Sequence, residues 1–368
     1  MFFIFFLLIF CSNPNPSKET PIYLETYTVE PYLKFKLGPQ VFSNLNSLVP
    51  FKHKDLDLYE SGKLIGTKTQ GSIVIAHEFE SLEPISLRFK TINNIHYPID
   101  SSSFLLLSAA HQLEKIIARF QTIIISSDFN PQNFLNWIRP LKVIYDSRIE
   151  FRDPHFVSET YIQSNAAYLG GQKSMLLYKP TANESVPLSA NAQVLAHEFF
   201  HGIFEYSFFD QKFDENGLLE NSDAIHGINE GLADFFSYLI TGEPNILGKS
   251  FSLNYYQKWR NFSSLAFKFA DIASSVCPTG FYCYGTLLAH SLWASLKNSS
   301  LETKANKFTI FFSKLFSIKD QFKDFLVGDL QGQFQKIWSL LMPTLPADFS
   351  HDLCPYLADD FNVSLPCQ

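Results

Sequence analysis

The sequence has no run of basic residues. Its 29 Lys and Arg stand against 36 Asp and Glu, for a formal net charge of −7 and a pI near 5.8. That balance argues against nucleic acid as the main partner, because a phosphate backbone is held by clustered cations. Long apolar runs are also missing: residues 1–10, MFFIFFLLIF, form the most apolar stretch, and a helix needs about 20 such residues to cross a bilayer. Cysteine is sparse at five, with no CxxC pair or Cys/His cluster of the zinc-ribbon kind. Neither an internal repeat nor a dibasic processing site stands out. What remains is an ordinary globular composition, 46% hydrophobic and 18% charged. Its 38 Phe predict cores filled with bulky rings. At 368 residues the chain can build two cores or one large one.

Residues 1–10 read as the apolar region of an export signal, although no Lys or Arg precedes them. LIFC at 8–11 resembles a bacterial lipobox, with Cys11 as the residue to be lipidated and Phe10 where that pattern has a small residue. The polar, Pro-containing residues 12–19 suit a tether between an anchor and a folded body. The expected location is therefore exported, either secreted or held at a membrane through a lipidated N-terminus. With Cys11 set aside, Cys277, Cys283, Cys354 and Cys367 remain. Four cysteines allow three connectivities, and the sequence-local one, 277 with 283 and 354 with 367, is the expected one.

Residues 20–100 alternate short Ile-, Val-, Tyr- and Phe-rich runs with turn residues and read as strands. Residues 103–120 have apolar spacing of helical period. Strand-like runs follow at 122–126, 141–146 and 174–179. From Ser189 the pattern turns helical, over 190–209, 227–241, 254–276 and 284–297. The expectation is an α+β chain with a β-rich N-terminal half and a helical C-terminal half. Its parts are an N-terminal segment and tether (1–19), a β-rich region (20–100), a mixed subdomain (101–188) and a helical subdomain (189–368).

The stretch AHEFFH at 196–201 puts His197 and His201 four apart within a helical segment. Their imidazoles then project from one face, a turn apart, and two nitrogens can reach one Zn²⁺. Glu198, one step round the helix, can accept a proton from water without taking a coordination position. AHEFE at 76–80 begins with the same four letters, but Ser81 follows His77 at the fourth place and the flanking GSIVI is strand-like. Only the first stretch can build a metal site. Downstream, NEGLADFF at 229–236 offers Glu230 as a third ligand and Asp234, four residues on, as an outer-shell partner for an imidazole. Three protein ligands leave a position open, as a catalytic zinc site requires. The acidic residues Asp214, Glu215, Glu220 and Asp223 can attract Ca²⁺ but lack the fixed ligand spacing of an EF-hand.

Over roughly residues 103–300, these motifs resemble the gluzincin metallopeptidases of the thermolysin-like and fungalysin-like group. The resemblance implies that fold, with an active-site cleft between its halves and one Zn²⁺ held by His197, His201 and Glu230. It also implies peptide hydrolysis with Glu198 as general base. SNAAY at 164–168 resembles the group's substrate-binding edge strand, which assigns Asn165 and the Ala166 backbone to an extended peptide. The group's oxyanion-steadying histidine falls, aligned on Gly285, at Tyr282, whose phenol can donate the same hydrogen bond. The 28 residues between His201 and Glu230 exceed those of thermolysin itself, which implies an inserted loop. A competing expectation is an exported surface binding protein that retains the fold with little turnover; a peptide-cleavage assay with and without chelator separates the two.

Overall fold

The computed structural model describes short strands among residues 22–48 and most of residues 51–367. Left out within the latter range are 70–71, 93–94, 125–128, 154–155, 162–165, 181–185, 210–221, 247–249, 251–259, 266, 273–279 and 327–328. The N-terminal segment and tether with Cys11, together with Asn165, Cys277, Asp214, Glu215 and Glu220, lie outside the described residues. Two compact units form, Met1–Ile117 with Ile138–Glu198, and Ala118–Trp137 with Phe199–Gln368. The architecture is mixed α/β: a mixed sheet in the first unit, and helices in the C-terminal half of the chain.

The sheet is built round one long strand, β1 (Leu56–Thr69), hairpinned to β2 (Ser72–Pro84). The other strands are β3 (Leu141–Tyr145), β4 (Ser147–Asp153), β5 (Phe156–Tyr161), β6 (Ala166–Leu169) and β7 (Ser174–Leu177). Spatially the order is β5-β4-β1-β3-β7-β6, with β2 paired to β1. Strands β3 and β4 both run parallel to β1, on its first and second halves, and β3 runs parallel to β7. A strand with parallel neighbours on both sides is covered on both faces. That accounts for the near-continuous apolar run Leu141, Val143, Ile144, Tyr145 in β3. Between β3 and β4, Asp146 takes a left-handed φ of 55°, which lets the chain change partner along β1. His77 lies within β2, so AHEFE at 76–80 is strand.

Helix α1 (Ser101–Ile123) starts at Asp100, whose carboxylate accepts from Ser103 N and Oγ, both at 2.8 Å. It runs through the first half of the expected strand 122–126: Thr122 and Ile123 form its last turn. The β-branched run was a misleading local signal there. Phe120 and Ile124 bury completely at helical spacing, and packing overrides propensity. Helix α2 (Pro131–Ile138) follows.

The second unit contains α4 (Asp223–Thr241), α5 (Gly280–Leu296), α6 (Leu301–Ser317), α7 (Leu330–Leu341) and α8 (Ala347–Phe361). With them goes most of α3 (Ala192–Phe208), a helix whose residues up to Phe200 are all buried. A helix apolar nearly all round belongs in an interior. The core here is made of rings: Phe120 meets Phe134 and Phe199 edge-on at 5.3 and 5.6 Å, and Phe204 stacks on Phe208 at 4.2 Å. Residues 254–276 do not form the expected long helix. Within their described part, 260–265 are bends, turns and a single bridge of Asn261 to Asn245, and only 269–272 are helical. Asn261 Oδ1 accepts from Ser263 N and Oγ, a local turn that competes with helix. Cys354 and Cys367 are joined by a disulfide, and Cys283 is also disulfide-bonded. Among the described residues, no helix is long and apolar enough to cross a membrane.

Candidate metal centre

Two imidazoles and a carboxylate come together at one point. Ligand atoms of His197, His201 and Glu230 all lie within 4.8 Å of one another, the one such group of three among the described residues. His201 Nε2 is 3.5 Å from Glu230 Oε1. Two atoms bound to a single Zn²⁺ at about 2.0–2.1 Å with tetrahedral angles stand about 3.4 Å apart, so the donor set fits the ion. Asn229 Oδ1 lies 2.9 Å from His201 Nδ1, which turns Nε2 toward Glu230.

Glu230 is placed by helix packing. Ser222 caps α4, its hydroxyl accepting from Ile225 N, and Gly242 ends the helix at φ 76° with a backbone bond to Tyr238 O. Where α4 crosses α5, two glycines meet. A Cβ on Gly285 would lie 2.7 Å from Glu230 Cβ, and one on Gly231 would lie 2.5 Å from Gly285 O. Only hydrogen side chains permit this approach, and it sets the height of Glu230 on its helix against α5.

Arg260 is the residue that sequence reasoning missed. Its Nη2 reaches Asp234 Oδ1 at 2.5 Å and Glu230 Oε2 at 3.4 Å, and its Nε reaches Asp234 Oδ2 at 3.3 Å. Burial alone would lower the guanidinium's pKa, but the Asp234 and Glu230 charges more than offset it and raise it above the usual Arg value. Asp234, 1% exposed along its side chain, is therefore neutralised by Arg260. The tie from a carboxylate to an imidazole expected of Asp234 has a counterpart in Asn229, which meets His201. Tyr282 is the first-turn residue of α5 whose ring lies 5.1 Å from the Arg260 guanidinium carbon. Nothing local in the sequence pointed to Arg260, because it lies 26 residues past Asp234 in an irregular stretch.

Glu198 accepts a 2.8 Å hydrogen bond on Oε2 from the Tyr168 backbone N–H. Tyr168 lies in β6, the terminal strand of the described sheet, two residues after Ala166. In a strand, alternate N–H groups point the same way. The edge strand therefore presents its outer backbone toward Glu198, which a search for side-chain motifs could not see. Burial, and then the charge of Glu198, push the Tyr178 phenol up to about 12. His290, on α5, has its Nδ1 2.7 Å from Asp360 Oδ2, which also accepts from Ser291 Oγ, and is committed there.

No protein-family model matches the chain, and no curated protein is detectably similar to it.

Proposed function

We propose that this protein is a zinc-dependent peptidase, most simply an endopeptidase. The observation that carries the reading is the convergence of His197, His201 and Glu230 within 4.8 Å, with Glu198 beside His197 in the chain and anchored by Tyr168 N–H. His197, His201 and Glu230 would hold the zinc, which would supply Lewis acidity toward a carbonyl and make water a stronger acid. Asn229 fixes the His201 ring, and Arg260 holds one oxygen of Glu230 so that the other faces the imidazoles. Glu198 takes the proton of the attacking water and delivers it to the leaving amine. The Tyr168 N–H keeps one Glu198 oxygen occupied, which leaves the other for that proton. An extended peptide adding to the β6 edge would be held by backbone hydrogen bonds at Ala166. The exported location belongs to the same proposal and is checked by mass spectrometry of the mature N-terminus, which also reads lipidation at Cys11.

The deciding experiment compares wild type and Glu198→Gln for zinc content and cleavage of a peptide library, with and without chelator. Wild type should cleave and lose activity to chelator; the variant should keep stoichiometric zinc and lose at least about 10²-fold in kcat. Equal cleavage by both would remove Glu198 from the role of base. Stoichiometric zinc with no cleavage by wild type would favour a binding function.

A further inference from the structure

Three arginines of this chain each meet a carboxylate: Arg88 lies 3.3 Å from Asp100, Arg139 lies 2.7 Å from Asp55, and Arg260 reaches Asp234 and Glu230. Arg119, near the end of α1, differs. Among the described residues its half-buried guanidinium pairs with no carboxylate and makes one hydrogen bond, Nη1 donating to Ile240 O at 2.7 Å. That bond caps the last turn of α4, where carbonyls lack helical partners. It uses one of five N–H donors. Burial pulls the Arg119 pKa below its ordinary value, and no carboxylate pushes it back as Asp234 and Glu230 do for Arg260.

The guanidinium lines a cavity of about 530 Å³ between the end of α1 and the start of α6. Thr309 Oγ1, on α6, donates to Ile123 O at 2.9 Å and ties the two helices together. Both flanks belong to the second unit. Small-molecule sites occupy about 300–1,000 Å³, so the space is sufficient for a ligand. Glu302, in the first turn of α6, lines the same cavity and forms no ion pair, with Arg119 or with any other described residue. The wall between these charges is apolar, from Ile123, Leu301 and Ala305. Leu301 is 45% exposed, one of two large apolar side chains left exposed among the described residues. A cation and an anion that line one cavity without meeting suit a ligand that carries both charges itself.

We propose that this cavity binds a zwitterionic α-amino compound with an apolar side chain, a free amino acid or dipeptide of the leucine type. Its carboxylate accepts from the spare N–H groups of Arg119, and its ammonium donates to Glu302. Both bonds are charge-assisted and about twice as strong as neutral ones. The apolar side chain covers Leu301, Ile123 and Ala305 and takes that surface out of water. A simple anion would be opposed by Glu302 and a simple cation by Arg119, which selects for the doubly charged form. None of His197, His201 and Glu230 lines the cavity, so the inference stands apart from the hydrolytic reading and its failure would leave that reading untouched.

Calorimetric titration of the full chain with leucine and with leucyl-leucine tests the site. Each ligand is compared with its C-terminal amide, with its N-acetyl form, and with glycine or diglycine. At least one of the two should bind with a Kd of about 1 mM or below, and the tighter one reports how far apart the two charges are held. Loss of the carboxylate, the ammonium or the side chain should each weaken binding at least about tenfold. Glu302→Gln should abolish the preference over the N-acetyl form. Arg119→Gln keeps an amide donor for Ile240 O and should abolish the preference over the C-terminal amide. Should Arg119→Gln fail to fold, Glu302→Gln decides alone, since Glu302 is exposed. No binding of either ligand at about 10 mM, or equal binding of the charged and blocked forms, would overturn the proposal. Wild-type affinity in the variants would overturn it too, by placing the ligand elsewhere on the protein.

Discussion

Glu230 serves two partners at once, one oxygen toward His201 and the other toward Arg260. Arg260 therefore acts on the site through Glu230 and on stability through Asp234. Replacing it by Met leaves the Asp234 carboxylate buried without its cation, a change that costs about 3–5 kcal/mol in comparable buried pairs. Urea denaturation of Arg260→Met should show that loss, together with weaker zinc binding in a competition titration. Asn229→Ala separates the two effects. It removes only the support for His201 Nδ1, so zinc affinity should fall about 10–100-fold with little change in denaturation midpoint. If zinc affinity is unchanged, the Asn229 contact does not orient a ligand.

The crossing of α4 and α5 makes the ligand position intolerant of volume. Gly285→Ala would set a methyl 2.7 Å from Glu230 Cβ and 2.8 Å from Gly231 N, atoms that cannot swing aside. Overpacking of that kind costs about 1–3 kcal/mol, and here it should also weaken zinc binding by displacing Glu230. Gly280→Ala is the control on the same helix, since its added methyl meets nothing closer than Tyr284 Cε2 at 3.4 Å. It should leave melting temperature and zinc affinity near wild type. A second element-level device is the Cys354–Cys367 disulfide, which joins α8 to the chain end across 13 residues. Replacing both cysteines by Ser should cost about 3 kcal/mol by loop-closure entropy, read as a lower denaturant midpoint. The elements themselves were readable where a period persists: α3 and α4 have long, strongly patterned segments. They were not readable where a local turn or a distant packing partner decided the outcome, as at residues 260–265 and in the last turn of α1.

Over the whole molecule, acid stability should reflect a buried histidine far in the chain from the candidate metal centre. Burial, and then the nearby Lys115 charge, hold His111 at a pKa of about 3, below its ordinary 6.5. The folded state keeps His111 neutral where the unfolded chain would protonate it. Stability is thus unaffected by this group above about pH 6.5 and is lost as pH falls from there toward about 3, at about 1.4 kcal/mol per pH unit at most. Wild type should lose melting temperature over that interval, and His111→Asn should show a shallower decline. Parallel declines would mean that other groups govern acid unfolding.

The spacing of His197 and His201 and the helical character around them were settled by the chain's own letters, because a four-residue step on a helix is a local property. Glu230 was nameable only beside that helix, through the motif NEGLADFF, since a lone helix carboxylate is ordinarily a solvated one. That its oxygen comes to 3.5 Å from His201, that Arg260 neutralises Asp234, and that an edge-strand N–H holds Glu198 are decisions of the tertiary structure. They join residues brought together only by packing, and contacts across such separations depend on helix crossings and strand order that no local period encodes.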